Sequence, residues 1–180
     1  MEQRKYQTEA IQNCRNSFGQ GTKAALLVMP TGAGKTVVFS QITQSALDKN
    51  NNVLILVHRR ELIKQASKKL AAINVDHGII AAKFKPKDSP TQIASVQTLV
   101  RRLDTTKFKP SLVIIDEAHH AVAGSWSKII YHYSDAILLG VTATPCRLDG
   151  RGLKEFFDDL ILGPTIPELV EQGYLSPHRV

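Results

Sequence analysis

The chain has little of what would place it among secreted, membrane or metal-stapled proteins. Its 180 residues contain two cysteines, Cys14 and Cys146, at opposite ends of the chain and with no companion at metal-ligand spacing. That count excludes a disulfide framework and a zinc cluster, and it suits a reducing cytoplasm, the expected location. Apolar runs are strand-sized and fall far short of the ~20 residues needed to cross a bilayer, so no membrane partner is expected. The polar start, MEQRKYQTEA, lacks the apolar stretch of a secretion signal. Aromatics are scarce, at 6% with one tryptophan, and there is neither an internal repeat nor a low-complexity tract. What remains is an ordinary globular composition, 43% hydrophobic and 22% charged. The charge is unbalanced: 23 Lys and Arg against 16 Asp and Glu give a net charge of +7. A basic surface favours polyanionic partners, because each neutralised phosphate releases a counterion.

Four apolar runs stand out: Ala24–Met29, Val53–Val57, Leu112–Ile115 and Ala136–Val141. They are continuous, not alternating, as expected of strands covered on both faces of a parallel sheet. Gln92–Val96 is a fifth candidate strand and Ile79–Ala82 another. Between them, Tyr6, Ala10, Ile11, Cys14 and Phe18 fall near one face of a helix, as do Leu62, Ile63, Ala66 and Leu70. The alternation predicts an α/β fold, a mostly parallel twisted sheet with helices on both faces. The basic, turn-rich stretches Lys83–Pro90 and Thr105–Pro110 read as surface loops. Gly163-Pro164 breaks the chain, and Pro167–Gln172 is expected to form a short helix stopped by Gly173.

Ligands of open parallel sheets bind beyond the carboxyl ends of the strands, and there the four runs deliver distinctive residues. Pro30-Thr31-Gly32-Ala33-Gly34-Lys35-Thr36 follows the first run. It reads as a phosphate-binding loop, whose glycines allow successive N–H groups to face phosphate oxygens at a helix N-terminus. Lys35 would reach the β- and γ-phosphates of ATP, and the Thr36 hydroxyl would bind Mg²⁺. The general pattern begins with glycine five positions before Gly34, where this chain has Met29. Asp116-Glu117-Ala118-His119 follows the third run. A carboxylate at the end of a buried strand needs compensation, which Mg²⁺ would supply to Asp116 through its water shell. Glu117 is then placed to orient or deprotonate the attacking water. His58-Arg59-Arg60-Glu61 ends the second run, and Thr142-Ala143-Thr144-Pro145 ends the fourth.

Taken in order along nearly the whole chain, these segments resemble the first RecA-like (ATP-binding) domain of superfamily 2 DEAD/DEAH-type helicases and translocases. Arg4-Lys5-Tyr6-Gln7 looks like the adenine-reading motif, PTGAGKT motif I, HRRELIKQ motif Ia, DEAH motif II and TATP motif III. Ser95-Val96-Gln97-Thr98 resembles the strand-contacting motif upstream of motif II, and Glu168–Leu175 is similar to the lobe exit of RadD-type DNA-repair helicases. The resemblance implies that Gln7 bonds adenine with Arg4 or Tyr6 beside it, and that Thr31, Gly32, Ala33, Gly34, Lys35 and Thr36 hold the nucleotide. It implies nucleic-acid contacts for Arg59, Arg60, Ser95, Gln97 and Thr98, and coupling roles for His119, Thr142 and Thr144.

Plainer readings stand beside these. Gln7 also fits the surface of an amphipathic helix, Arg59 and Arg60 a solvated helix start, and Thr142 and Thr144 a turn leading into a helix. Trp126 reads as a packing residue, and His77, His120, His132 and His178 as structural or surface residues. The expected division is an ATP-binding lobe over 1–163, then over 164–180 an exit helix and the start of a linker to a second RecA-like domain of the same polypeptide. Without that lobe's arginine fingers, the 180 residues are expected to bind nucleotide weakly and turn it over slowly. The expected function is an ATP-dependent DNA motor, the motif variants being closer to DNA-directed members than to RNA-directed ones. Alternatives are the motor subunit of a restriction system, an RNA-directed helicase, and a non-catalytic ATP-gated clamp. The intact Lys35, Thr36, Asp116 and Glu117 argue against the clamp.

Overall fold

A computed structural model describes residues 4–121, 124–144 and 151–176; Pro145, Cys146 and the stretch 177–180 with His178 lie outside them. The strands are β1 Ala24–Val28, β2 Val53–Val57, β3 Gly78–Ile80, β4 Thr91–Ser95, β5 Leu112–Asp116, β6 Ile137–Thr142 and β7 Asp159–Leu162. They form one sheet in the order β3-β4-β2-β5-β6-β1-β7, every pairing parallel. Helices α1 Lys5–Gly19, α2 Lys35–Leu47, α3 Arg60–Ala72, α4 Val96–Leu99, α5 Gly124–His132, α6 Arg151–Lys154 and α7 Ile166–Glu171 connect or flank them.

The continuous apolar runs have a direct cause. Successive strand side chains point to opposite faces, and both faces are covered. Along β2, Val53, Ile55 and Val57 join one core with Cys14, Phe39, Ile63 and Leu70 of α1–α3. Leu54 and Leu56 join the other with Leu99, Trp126 and Ile129 of α4 and α5. Trp126 is therefore a packing residue, 3% exposed. Cys14 is a buried free thiol, and burial, helped by nearby Asp159, pushes it up to about 12. Leu169 of α7 is fully buried in the first core, so α7 packs against the sheet-covering layer.

Several elements differ from the sequence reading; β3, for one, covers Gly78–Ile80 where Ile79–Ala82 is expected. Strand β7 is not among the expected strands. Its Leu160 and Leu162 are 53% and 66% exposed, so this edge strand shows neither the continuous run nor the clean alternation that marks its neighbours. The fifth candidate begins one residue earlier and yields at Val96, where α4 starts.

Gly140 sits mid-β6 under the second core. A Cβ there would lie 2.4 Å from Phe157 Cζ and 2.9 Å from Ala118 Cβ, directly behind the acidic turn. Replacing Gly140 by Ala is expected to destabilise the fold by about 1–3 kcal/mol through overpacking. Urea denaturation checks this; an unchanged midpoint would mean that Phe157 yields at no cost.

Candidate functional site

The chain leaves β1 through Met29, which is fully buried, and whose backbone N–H donates to Thr142 O at 2.9 Å. This explains the missing first glycine: position 29 extends the strand into the core, and the turn begins only afterwards. Gly32 and Gly34 take φ of +84° and +83°, a conformation costly for residues with a Cβ. A Cβ on Gly34 would also lie 2.5 Å from Gln7 Nε2. The loop is braced from outside by the start of α1. Tyr6 Oη and Gln7 Nε2 both donate to Ala33 O, at 3.0 and 3.1 Å, and Gln7 Oε1 accepts from Arg4 N–H at 3.1 Å. Tyr6 is thus a buried prop of the loop, and each end of the Gln7 amide retains capacity for one more hydrogen bond.

Asp116 is 7% exposed, and its Oδ1 accepts from Glu117 N–H at 3.1 Å. Burial pushes its carboxyl up to about 6; the Glu117 carboxylate adds to this, while Lys35 and that N–H oppose it. Glu117 adopts φ +56°, a left-handed conformation uncommon outside glycine, which swings its carboxylate to 3.9 Å from Lys35 Nζ. Its other oxygen lies 3.4 Å from His119 Nδ1, which lies 3.2 Å from Thr142 Oγ1. The Thr142 hydroxyl donates its one proton to Thr144 O and accepts from Thr144 N–H, both at 3.2 Å. With the hydroxyl proton on Thr144 O, a protonated Nδ1 would complete the chain, donating toward Thr142 with Glu117 beside it. The ends of the adjacent strands β5, β6 and β1 are joined in one polar chain.

The residues read as nucleic-acid contacts gather on the neighbouring part of the edge. Val57 of β2 is in register with Ser95 of β4. Arg59 and Arg60 open α3 beyond one strand, and Ser95 immediately precedes α4 beyond the other, with Gln97 exposed and Thr98 partly so. The rings of His58, His120 and Trp126 lie between the two halves, with centroids 4.9 to 6.4 Å apart. Burial, reinforced by His119 and His58, holds His120 below its ordinary value. His120 and His58 carry no spacing signal, because only the fold brings β2 and β5 side by side.

A further pair escaped the sequence reading. Gly173, at φ +73°, ends α7, and Tyr174 and Leu175 turn back to donate to Leu169 O at 2.8 and 3.0 Å. Tyr174 then packs edge-on against Tyr6 at 5.2 Å, and the Arg4 guanidinium lies 4.9 Å above its ring. A Cβ on Gly32 would lie 3.0 Å from Leu175 Cδ2. The segment after α7 thus rests on the phosphate loop.

A seven-stranded parallel sheet with this loop after β1 and an acidic turn after β5 is a RecA-like P-loop domain of the superfamily 2 type. Residues 1–147 match the family described as "Type III restriction enzyme, res subunit", and the chain belongs to that family. It is 39% identical to the candidate ATP-dependent helicase IRC3 of Saccharomyces cerevisiae, over 96% of this chain and 28% of that protein. It is 30% identical to the DNA 3'-5' translocase XPB2 of Sulfurisphaera tokodaii, over 92% of this chain and 35% of that one. The chain therefore spans about a third or less of these relatives. Among solved structures, the helicase domain of Pyrococcus furiosus Hef superposes with a TM-score of 0.80 at 21% identity, covering 98% of this chain and 41% of that one. The UvsW helicase of bacteriophage T4 gives 0.74 at 19%, covering 90% and 60%. At these identities the two structures establish the fold.

The raised Asp116 carboxyl fixes a pH dependence. Its folded value lies above the unfolded 3.8, so between 3.8 and about 6 the folded state holds the extra proton. The protein free of metal and nucleotide should therefore lose stability as pH rises through that window, by about 3 kcal/mol in full. Asp116→Asn should abolish the loss and exceed the wild type at neutral pH. Urea denaturation of both proteins across the window checks this; parallel curves would contradict it.

Proposed function

We propose that this chain is the ATP-binding lobe of an ATP-dependent DNA helicase or translocase, with 1–163 forming the lobe and 164–180 leading toward a second RecA-like domain. The observation that carries the reading is the Lys35–Glu117–His119–Thr142 chain, which joins three strand ends within hydrogen-bonding or ion-pair range. Among the described residues the buried Asp116 is compensated by a neighbouring N–H and by Lys35 alone, which suits a divalent cation, so the donor set fits Mg²⁺ held by Thr36 and Asp116. Mg²⁺ held there would supply neutralisation of phosphate charge.

The chain's own residues do the rest. The N–H groups of Thr31–Thr36 cradle the phosphates of ATP, and Lys35 neutralises the γ-phosphoryl oxygens. Glu117, turned toward Lys35 by its left-handed backbone, orients the attacking water and accepts its proton. His119 holds the Glu117 carboxylate and links it to Thr142 and Thr144, so that loss of the γ-phosphate is felt at β6. Gln7 bonds the adenine, flanked by Arg4, whose guanidinium Tyr174 positions. Arg59, Arg60, Ser95, Gln97 and Thr98 grip the nucleic-acid backbone. The net charge of +7 and the similarity to XPB2, which is named a DNA translocase, support DNA as the polymer.

A second reading is the motor of a restriction system. It draws on the family's own description and on 28% identity, over 98% of this chain, to the Type I restriction enzyme EcoAI endonuclease subunit of Escherichia coli. Both readings share the same lobe chemistry, and nuclease assays on the complete gene product separate them.

The direct test is ATP turnover by the complete gene product with no polymer, single-stranded DNA, duplex DNA or RNA. Glu117→Gln should cut DNA-stimulated turnover by roughly 10²–10⁴-fold while nucleotide binding persists. Lys35→Ala should lose both. Turnover that survives Glu117→Gln, or that no polymer stimulates, would contradict a motor. At the base end, Tyr174→Ala should weaken nucleotide binding several-fold and Tyr174→Phe should not, as read by titration with a fluorescent ATP analogue. Equal affinity in both variants would remove Tyr174 from the pocket.

A further inference from the structure

The tetrapeptide Lys-Phe-Lys-Pro occurs twice, at 83–86 and at 107–110, and neither copy lies on the nucleotide edge. The fold brings both to one place. They border an open cavity of about 860 Å³ that runs along the outer β3–β4 edge to the amino ends of β2, β4 and β5. Its walls carry the half-buried rings of Phe84 and Phe108, each packed on one of the two cores, and the cations of Lys87, Arg102, Lys107 and Lys109, against the carboxylate of Asp88. Lys87 is paired with Asp76; among the described residues Arg102, Lys107 and Lys109 form no ion pair.

The walls are fixed in advance. Gln92, 5% exposed, donates from Nε2 to Lys87 O at 2.9 Å and Ser89 O at 3.2 Å, so the first loop is pinned by a buried amide. Gly78 makes room for this: a Cβ there would lie 2.4 Å from both Lys87 O and Gln92 Oε1. The second loop is held by Asn52 Nδ2, which donates to Lys109 O at 3.2 Å. At its other end the groove comes within one side chain of the opposite sheet edge, because the Arg60 guanidinium lies 5.8 Å above the Phe84 ring.

Cations interleaved with aromatic faces along a preformed groove are the chemistry that binds single-stranded nucleic acid: phosphates meet Lys and Arg, and bases stack on rings. We propose that this groove is a second contact for single-stranded nucleic acid. It receives strand that continues past Arg60 and carries it around the β3–β4 edge, away from the nucleotide. The inference rests on the nucleic-acid reading given under Proposed function, and the test below separates the two.

Oligothymidines of two lengths, one too short to pass Arg60 and one long enough to fill the groove, are titrated by fluorescence anisotropy across a salt series. The proteins are the full 180-residue chain, the triple variant Arg102→Gln, Lys107→Gln, Lys109→Gln, and the double variant Arg59→Gln, Arg60→Gln. Unchanged ATP binding and an unchanged urea midpoint certify each fold. The triple variant should bind the long oligonucleotide about tenfold more weakly, with a log–log salt slope reduced by about two, while the short one is unaffected. Phe108→Leu, which keeps an apolar side chain in place, should weaken the long oligonucleotide several-fold and leave inorganic polyphosphate untouched. If only the double variant loses affinity, the motor-edge reading stands and the groove is refuted. If only the triple variant does, the groove stands and the motor-edge contacts fall. Polyphosphate bound as tightly as oligonucleotide, with no dependence on Phe108, would overturn the assignment to nucleic acid.

Discussion

A carboxylate buried at the end of a parallel strand is the constraint around which the rest of this edge is arranged. In the interior an ionised Asp116 is costly, and the described residues offer it one N–H and a lysine from the loop on another strand. That lysine stands where it does because β1 continues as buried Met29 before turning, and because Gly32 and Gly34 adopt backbone conformations that place Lys35 at the start of α2. The loop in turn leans on α1, whose Tyr6 and Gln7 share the Ala33 carbonyl. The phosphate loop, the acidic turn and the N-terminal helix are thus one interlocked unit.

The same edge divides along the strand order. On the side of β5, β6 and β1 lie the groups suited to phosphate and metal, linked through His119 to Thr142. On the side of β2 and β4 lie Arg59, Arg60, Ser95, Gln97 and Thr98. Packed rings of His58, His120 and Trp126 fill the boundary. The acidic turn thus touches β6 through Thr142 and the segment before α3 through the His120–His58 ring stack.

Much of this was legible in the sequence, for a physical reason. Strands buried on both faces must be continuously apolar, so β1, β2, β5 and β6 announced themselves, and the polar residues at their ends had to lie on one edge. Glycines in the loop and carboxylates after a buried strand carry their chemistry in residue type alone. What stayed hidden depends on proximity across the sheet. β7 is half-exposed and short, so its pattern is broken. The meeting of Tyr174 with Arg4 and Tyr6 joins the two ends of the chain, and no periodicity encodes it. The stacking of His58 on His120 and the convergence of the two Lys-Phe-Lys-Pro loops follow from strand order, which local pattern does not specify.

Under the proposed function Asp116 is held in readiness for a divalent cation beside a nucleotide, and the proton count on binding tests this, from calorimetric titration of Mg²⁺–nucleotide in buffers of different ionisation enthalpy. With the carboxyl at about 6, binding near that pH should release a fraction of a proton that vanishes two pH steps higher, where Asp116 is already ionised. Binding with no proton release near pH 6, or no binding at all, would contradict the account.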